Sequence, residues 1–175
     1  VLTETSQHGV DFLADICVEW EAAALRAEQL GLRVATLRTG LVLAKEGGLL
    51  PLMSSAFSLA LGGRLGKGTH WMPWIHLQDE ARLILWAVEN ESVSGPVNLC
   101  APNPVTNADF TAQLARSVQR PAIFHVPEFL IKQLPGGFGS MILGSQRAMP
   151  EKALTQGFQF DHPDLAPALH SLLAS

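Results

Sequence analysis

A change of period at Gly31 constrains this chain more than any other feature. From Asp11 to Leu30, apolar residues recur at Leu13, Ile16, Trp20, Ala24 and Ala27. Spacings of three and four lay one stripe along a helix. Gly31 closes that helix, and Arg33 to Leu43 then carries the Val, Thr and Leu content of a strand buried on both faces. A helix running directly into such a strand is the repeating unit of parallel sheet, because parallel neighbours need a crossover that covers the sheet face. The expected fold class is therefore α/β.

Downstream signals are more local. After Gly47 and Gly48 a helix is expected through about Leu61, followed by a Gly-rich loop holding Gly62, Gly63, Gly66 and Gly68. These glycines follow a helix rather than a strand, so the loop reads as a turn rather than a phosphate cradle, with Arg64 and Lys67 as solvated charges or anion contacts. Trp71 to Leu77 reads as extended and leads into a helix from Asp79 to about Asn90, expected to bury Ala81, Ile84, Leu85 and Val88. Pro96 to Cys100 forms a short strand. Thr106 and Asp109 form a capping box for a helix carrying Phe110, Leu114 and Val118. Ala122 to Val126 alternates as a strand, and Pro127, Pro135, Pro150 and Pro163 punctuate short helices, the last striped by Leu165, Leu169 and Leu172.

Composition excludes several function classes. With 47% hydrophobic residues in 175, the chain can bury a core. Its net charge of −4 and scattered basic residues leave no footprint for nucleic acid or an anionic membrane. Two distant cysteines, Cys17 and Cys100, make no disulfide framework and suit a reducing cytoplasm. The apolar stretch from Leu49 to Leu61 is broken by Pro51, Ser54, Ser55 and Ser58 and falls short of a bilayer span of about 20 residues. The first residues, VLTETSQHGVD, have neither the basic start nor the apolar core of a secretory signal, and read as the middle of a longer protein.

Five stretches carry a family resemblance: FLADICVEWEAAA (Phe12 to Ala24), LRTGLVLA (Leu37 to Ala44), LGGRLGKGTHWMPWIHLQD (Leu61 to Asp79), GPVNLCAPNPVTNADF (Gly95 to Phe110) and SQRAMPEKALTQGFQF (Ser145 to Phe160). In that order they resemble the C-terminal part of the atypical branch of extended short-chain dehydrogenases/reductases, NAD-dependent epimerase/dehydratase-like proteins often labelled epimerase-family or cell-division inhibitor. The resemblance implies the closing part of a Rossmann-like parallel sheet over residues 1–60 and a small α+β substrate-side lobe over 61–175, with the strand at 96–100 returning to the sheet. It implies NADP or NAD as cofactor, held in part by a Gly-rich turn upstream of Val1. It also implies that the sheet edge beside Val34 to Leu37 is covered by a missing N-terminal half or by another chain. Thr39, Gly40, Leu41 and Val42 would then line the nicotinamide; the plainer reading of the same residues is a strand exit with a glycine turn.

Working relatives place a tyrosine and a lysine one helical turn apart on the helix before that strand. Counted back from Gly31, those positions fall near Ile16 and Trp20, and the chain contains no tyrosine. Neither residue can transfer a proton, so no catalytic residue is assigned and both are expected to be core residues of the helix stripe. The function implied is an oxidoreductase or epimerase acting on a small molecule of unknown identity; the alternative is a non-catalytic nucleotide-binding regulatory or scaffold protein.

Candidate pocket residues are His70, Trp71, Trp74, His76 and Arg147. His76 could exchange a proton near neutral pH or simply satisfy a hydrogen bond at the strand end. Trp74 could stack on a ligand or pack inside the protein. Asp79 is expected to cap or charge the next helix, and Arg147 to meet an anionic group or stand as a solvated charge. The histidines and cysteines lack metal-ligand spacing, and Ser140 in GFGSM is not a nucleophile elbow.

Overall fold

The computed structural model describes residues 1–59, 61–133 and 138–174. Helix α1, Phe12–Leu25, starts where the Asp11 carboxylate accepts from the backbone N–H groups of Leu13 and Ala14, both at 3.0 Å. It runs into a 3₁₀ turn, Arg26–Leu30, closed by Gly31 at φ 76°. The expected helix and its glycine stop are both present, but no residue of α1 is buried. Ile16 is half-buried and Trp20 is 71% exposed. The expectation of a packed stripe is corrected: Leu13, Trp20 and Ala24 are exposed, and Ile16 and Ala27 are only half-buried.

The predicted strand at 33–43 is two strands, β1 (Ala35–Thr39) and β2 (Leu41–Leu43), with different partners. Strand β1 pairs in parallel with β6 (Gly95–Leu99), Thr39 opposite Leu99. Strand β2 pairs in parallel with β5 (Trp74–His76), Leu41 opposite Trp74. Gly40 is the hinge of this exchange: its N–H donates to Leu99 O at 2.9 Å, while that of Leu41 donates to Pro73 O at 2.7 Å. A Cβ on residue 40 would sit 2.8 Å from Pro73 O, so only glycine lets the two ladders meet. Strand β1 is half-buried, not buried on both faces, and Leu37 is 40% exposed.

Between these strands lie α2 (Leu50–Ser58), β3 (Gly63–Leu65), β4 (Trp71–Met72) and α3 (Leu77–Glu89). Part of the expected Gly-rich loop is thus a strand; β3 pairs in parallel with β8 (Phe124–Val126). The chain continues through β7 (Val105–Thr106), antiparallel to β4, and α4 (Asn107–Ser117). Thr106 caps α4 as its spacing predicts, accepting from the Asp109 N–H at 3.2 Å. The remaining helices are α5 (Glu128–Lys132), α6 (Phe138–Leu143), α7 (Glu151–Thr155) and α8 (Leu165–Leu173). Pro135 lies outside the described residues, as does the side chain of Ser140.

Alternation along β2 and β5 feeds two cores. Trp74 and Leu43 point into one with Leu50, Phe110, Leu114 and Leu169, while Ile75 points into the other with Leu83, Val93, Val97 and Leu99. Helix α3 lies on the second core through Leu83 and Ala87. The four residues predicted to face inward, Ala81, Ile84, Leu85 and Val88, are all exposed. From Leu83 to Val88 the helix is apolar all round, so period alone leaves its rotation open. Asp79 and Glu80, both buried, set it.

Candidate functional site

The carboxyl ends of β1 and β6 meet the first turn of α3. Thr39 lies on the same face of β1 as Leu37, two residues back, and its hydroxyl donates to Glu80 Oε1 at 3.0 Å. Glu80 is 7% exposed, and its second oxygen has no partner among the described residues. Burial pushes its carboxyl above the ordinary glutamate range, against the lowering effect of the Thr39 bond. Behind it, Cys100 is pushed up to about 12 by burial and by the carboxylates of Glu4 and Glu80, which keeps the thiol protonated and unreactive.

On the opposite face of β1, Arg38 holds Glu21 of α1 with two bonds of 2.6 and 2.7 Å. The guanidinium holds the Glu21 carboxyl below its usual range. Glu4 is buried nearby, its Oε1 accepting from the N–H groups of Asn98 at 3.1 Å and Lys152 at 3.3 Å. The N-terminal residues are thereby tied to β6 and to the start of α7.

Of the four residues expected at a nicotinamide, two pack partly inward: Leu41 is half-buried against the first core and Val42 half-buried against the second. Gly40 serves the exchange of strand partners, and its N–H is already taken. Thr39 is exposed. Thr39 thus keeps a polar side chain at the surface where the strands end, while the unpartnered oxygen of Glu80 is buried.

The other candidates separate into three groups. Arg147 and Trp71 come together, the guanidinium 4.4 Å from the indole centroid. The Trp71 N–H donates to Ser145 Oγ at 3.0 Å, and its carbonyl accepts from the Gln146 N–H at 3.3 Å, which fixes the platform. His70, one residue before, has a buried Nε2 without a partner among the described residues, and burial lowers its pKa against the opposing effect of Glu128.

Trp74 is corrected to a core residue: it is fully buried and its indole N–H donates to Asn103 O at 3.2 Å. His76 is likewise structural. Its Nδ1 accepts from the Gln78 N–H at 3.0 Å, capping α3. The tautomer that accepts at Nδ1 carries its proton on Nε2, which donates to Ser171 Oγ at 3.3 Å. Its ring stacks on His162 with centroids 3.8 Å apart, and burial, then His162, lower its pKa. Asp79 lies in the first turn of α3 without capping it. Instead it accepts from Asp161 N, His162 N and Arg82 Nη1 at 3.0, 2.8 and 2.7 Å, and so clamps the C-terminal segment.

Sequence reasoning missed Glu80 and Glu4. For Glu80 a signal existed: with Leu83 and Ala87 it completes an i, i+3, i+7 stripe. For Glu4 we find none, since its partners lie 94 and 148 residues away.

Residues 13–100 match the NAD dependent epimerase/dehydratase family, half of the chain. The chain belongs to that family. Residues 126–172 match a domain of unknown function, DUF1731. Among curated relatives of the family, an epimerase family protein of Mycobacterium leprae is 44% identical over 170 residues, covering 97% of this chain and 55% of that protein. The crystal structure of the human epimerase family protein SDR39U1 with NADPH superposes with a TM-score of 0.92 at 33% identity, over 98% of this chain and 59% of that one. A nucleoside-diphosphate sugar epimerase from Corynebacterium glutamicum gives 0.80 at 37% identity, over 99% and 34%. The chain thus spans about half the length of the curated relatives it matches. Their descriptions speak of epimerases and not of cell division, so the cell-division label goes unsupported. The α/β class with parallel strand pairs is the one these structures share. No described helix is long and apolar enough to cross a membrane.

Proposed function

We propose that the whole protein binds NADP or NAD and acts as an oxidoreductase or epimerase on a small molecule, with this chain supplying the nicotinamide-side strand exit and the substrate-side lobe. What supports the reading above all is the position of Thr39, at the carboxyl end of a paired parallel strand, where open α/β sheets receive their ligands. The likeness to the NADPH complex of the human relative supports it further. When bound, the cofactor would supply hydride transfer. Thr39 and the backbone at Gly40 would orient its ring, while His70, Trp71 and Arg147 would meet the substrate.

The free edge of β1 suits a further strand. Among the described residues β1 pairs only with β6, and a shallow groove along it is lined by Arg33, Leu37, Ile84 and Val88. We propose that a segment of the longer protein pairs there, burying Leu37 together with the exposed face of α3. The free thiols of Cys17 and Cys100 suit the cytoplasm as its compartment.

Titration of the whole protein with NADPH, followed by nicotinamide fluorescence, tests the reading: saturation below millimolar concentration is expected, and none at millimolar refutes it. Candidate sugar nucleotides and carbonyl compounds are then screened at the nicotinamide absorbance band. Saturable binding with no hydride exchange for any of them would favour a non-catalytic protein instead.

A further inference from the structure

Aspartate and glutamate are absent from two stretches of the chain, residues 47–78 and 110–127. The first holds Arg64 and Lys67 and the second Arg116 and Arg120, so together they carry +4, while the remaining eight basic and sixteen acidic residues carry −8. Spread along the sequence, the four cations form no visible cluster; the fold gathers them. Strand β3 pairs with β8, and the Arg120 guanidinium donates to Ser58 O, at the end of α2, at 3.3 Å. All four are exposed, and none is paired with a carboxylate among the described residues. Bulky apolar side chains stand out beside them. Leu59, Leu61 and Ile123 are 61–72% exposed, and Phe124 is exposed as well. Gly62 O accepts from the Phe124 N–H at 3.3 Å, so Leu61 and Ile123, the residues just before each, are neighbours at one end of the strand pair.

We propose that this end of the β3–β8 pair docks the protein on an anionic lipid surface, with Leu61, Ile123 and Phe124 entering the headgroup region and Arg64 and Arg120 meeting lipid phosphates. A peripheral lipid contact needs apolar side chains to bury at the headgroup level and positive charge to draw the surface in, and both stand here together. Within this chain the charge is divided, so an anionic surface attracts this end and repels the rest. A second copy is a poorer occupant, because a two-fold contact through the patch would set like charges against each other. Nucleic acid is poorer too: single strands bind by stacking on rings, and of these apolar residues Phe124 alone has one. A folded acidic protein would need a recess matching each protruding side chain, whereas a fluid headgroup layer accommodates them without a fixed complement.

Sedimentation of the whole protein with vesicles tests this, using phosphatidylcholine alone and an equal mixture of phosphatidylcholine with phosphatidylglycerol. Binding is expected to the mixed vesicles, weakening as salt is raised, with little to phosphatidylcholine alone. Near an anionic surface each basic residue contributes roughly fivefold to partitioning, so Arg64→Ser combined with Arg120→Ser should lower it by about thirtyfold. Leu61→Ser combined with Ile123→Ser should lower it by about tenfold or more, through the apolar area no longer buried. Arg26→Ser, exposed but outside both stretches, is expected to bind as wild type does. Every substituted residue is exposed, so the variants should stay folded, and unchanged melting temperatures verify this. Binding to neither vesicle overturns the inference, as does equal binding to both, or binding untouched by either double substitution. RNA and polyglutamate are titrated in parallel: saturation by either, with no vesicle binding, gives the surface to another class of partner and overturns the inference as well.

Discussion

The rotation of α3 about its axis can be tested with one pair of substitutions, because periodicity and tertiary structure assign opposite neighbours to Leu83 and Leu85. Leu83 is fully buried against Ile75, Val93, Val97 and Leu99, whereas Leu85 is 54% exposed. Leu83→Ala removes three carbons from a closed environment. At roughly 0.8 kcal/mol per buried methylene, the transfer contribution alone is about 2.4 kcal/mol. The unfilled space adds to this, and fully buried leucines reach 3 to 4 kcal/mol in all, as an order of magnitude. For a chain of this size each kcal/mol lowers the melting temperature by about 2–4 °C, so a drop on the order of 10 °C is expected. Leu85→Ala, made on a face open to solvent, should change stability by less than about 1 kcal/mol. Urea denaturation followed by circular dichroism measures both, and the midpoint should shift without a change of slope. If Leu85→Ala proves as damaging as Leu83→Ala, the helix is rotated from the position described, and the placement of Glu80 beside Thr39 fails with it.

Other consequences follow from the same geometry. His76 has its folded pKa below the ordinary value of 6.5, so the fold favours the neutral ring. The stability this allows is present above 6.5 and is lost as pH falls through that value toward the folded pKa. His70 acts in the same direction. Melting temperatures measured from pH 8 to 5 should therefore decline, and His76→Asn, which can still cap α3, should flatten the slope; an unchanged slope would show that His76 takes up no proton on unfolding. Gly40→Ala forces a Cβ to within 2.8 Å of Pro73 O and should cost about 1–3 kcal/mol, read by the same denaturation assay, with wild-type stability as the refuting result. A double-mutant cycle on Glu21 and Arg38, whose side chains are 25% and 36% exposed, should return a coupling of only about 0.5–1 kcal/mol that fades in high salt.

Features with short-range causes were legible in the chain. The helical stretch that opens with α1 stops at Gly31 after its 3₁₀ turn, Thr106 caps α4, and β6 starts at Gly95, beside Pro96, because propensity, capping and turn chemistry act within a few residues. The arrangement of the candidate residues was legible only in part. Trp71 and Arg147, both singled out, prove to be neighbours, whereas an apolar residue at a strand end gives no sign of which of two cores will take it, as Leu41, Val42 and Trp74 show.

The sequence by itself determined the alternation of helix and strand, hence the α/β class, and the absence of a phenol to carry a proton. Tertiary structure alone decided which way α3 faces, where the strand at 35–43 exchanges partners, and which carboxylates are buried. Each of these depends on groups dozens of residues apart: Glu80 on Thr39, Glu4 on Asn98, Asp79 on Asp161 and His162. A charged side chain read in isolation belongs in water, and only a folded neighbour that hydrogen-bonds it can bring it inside.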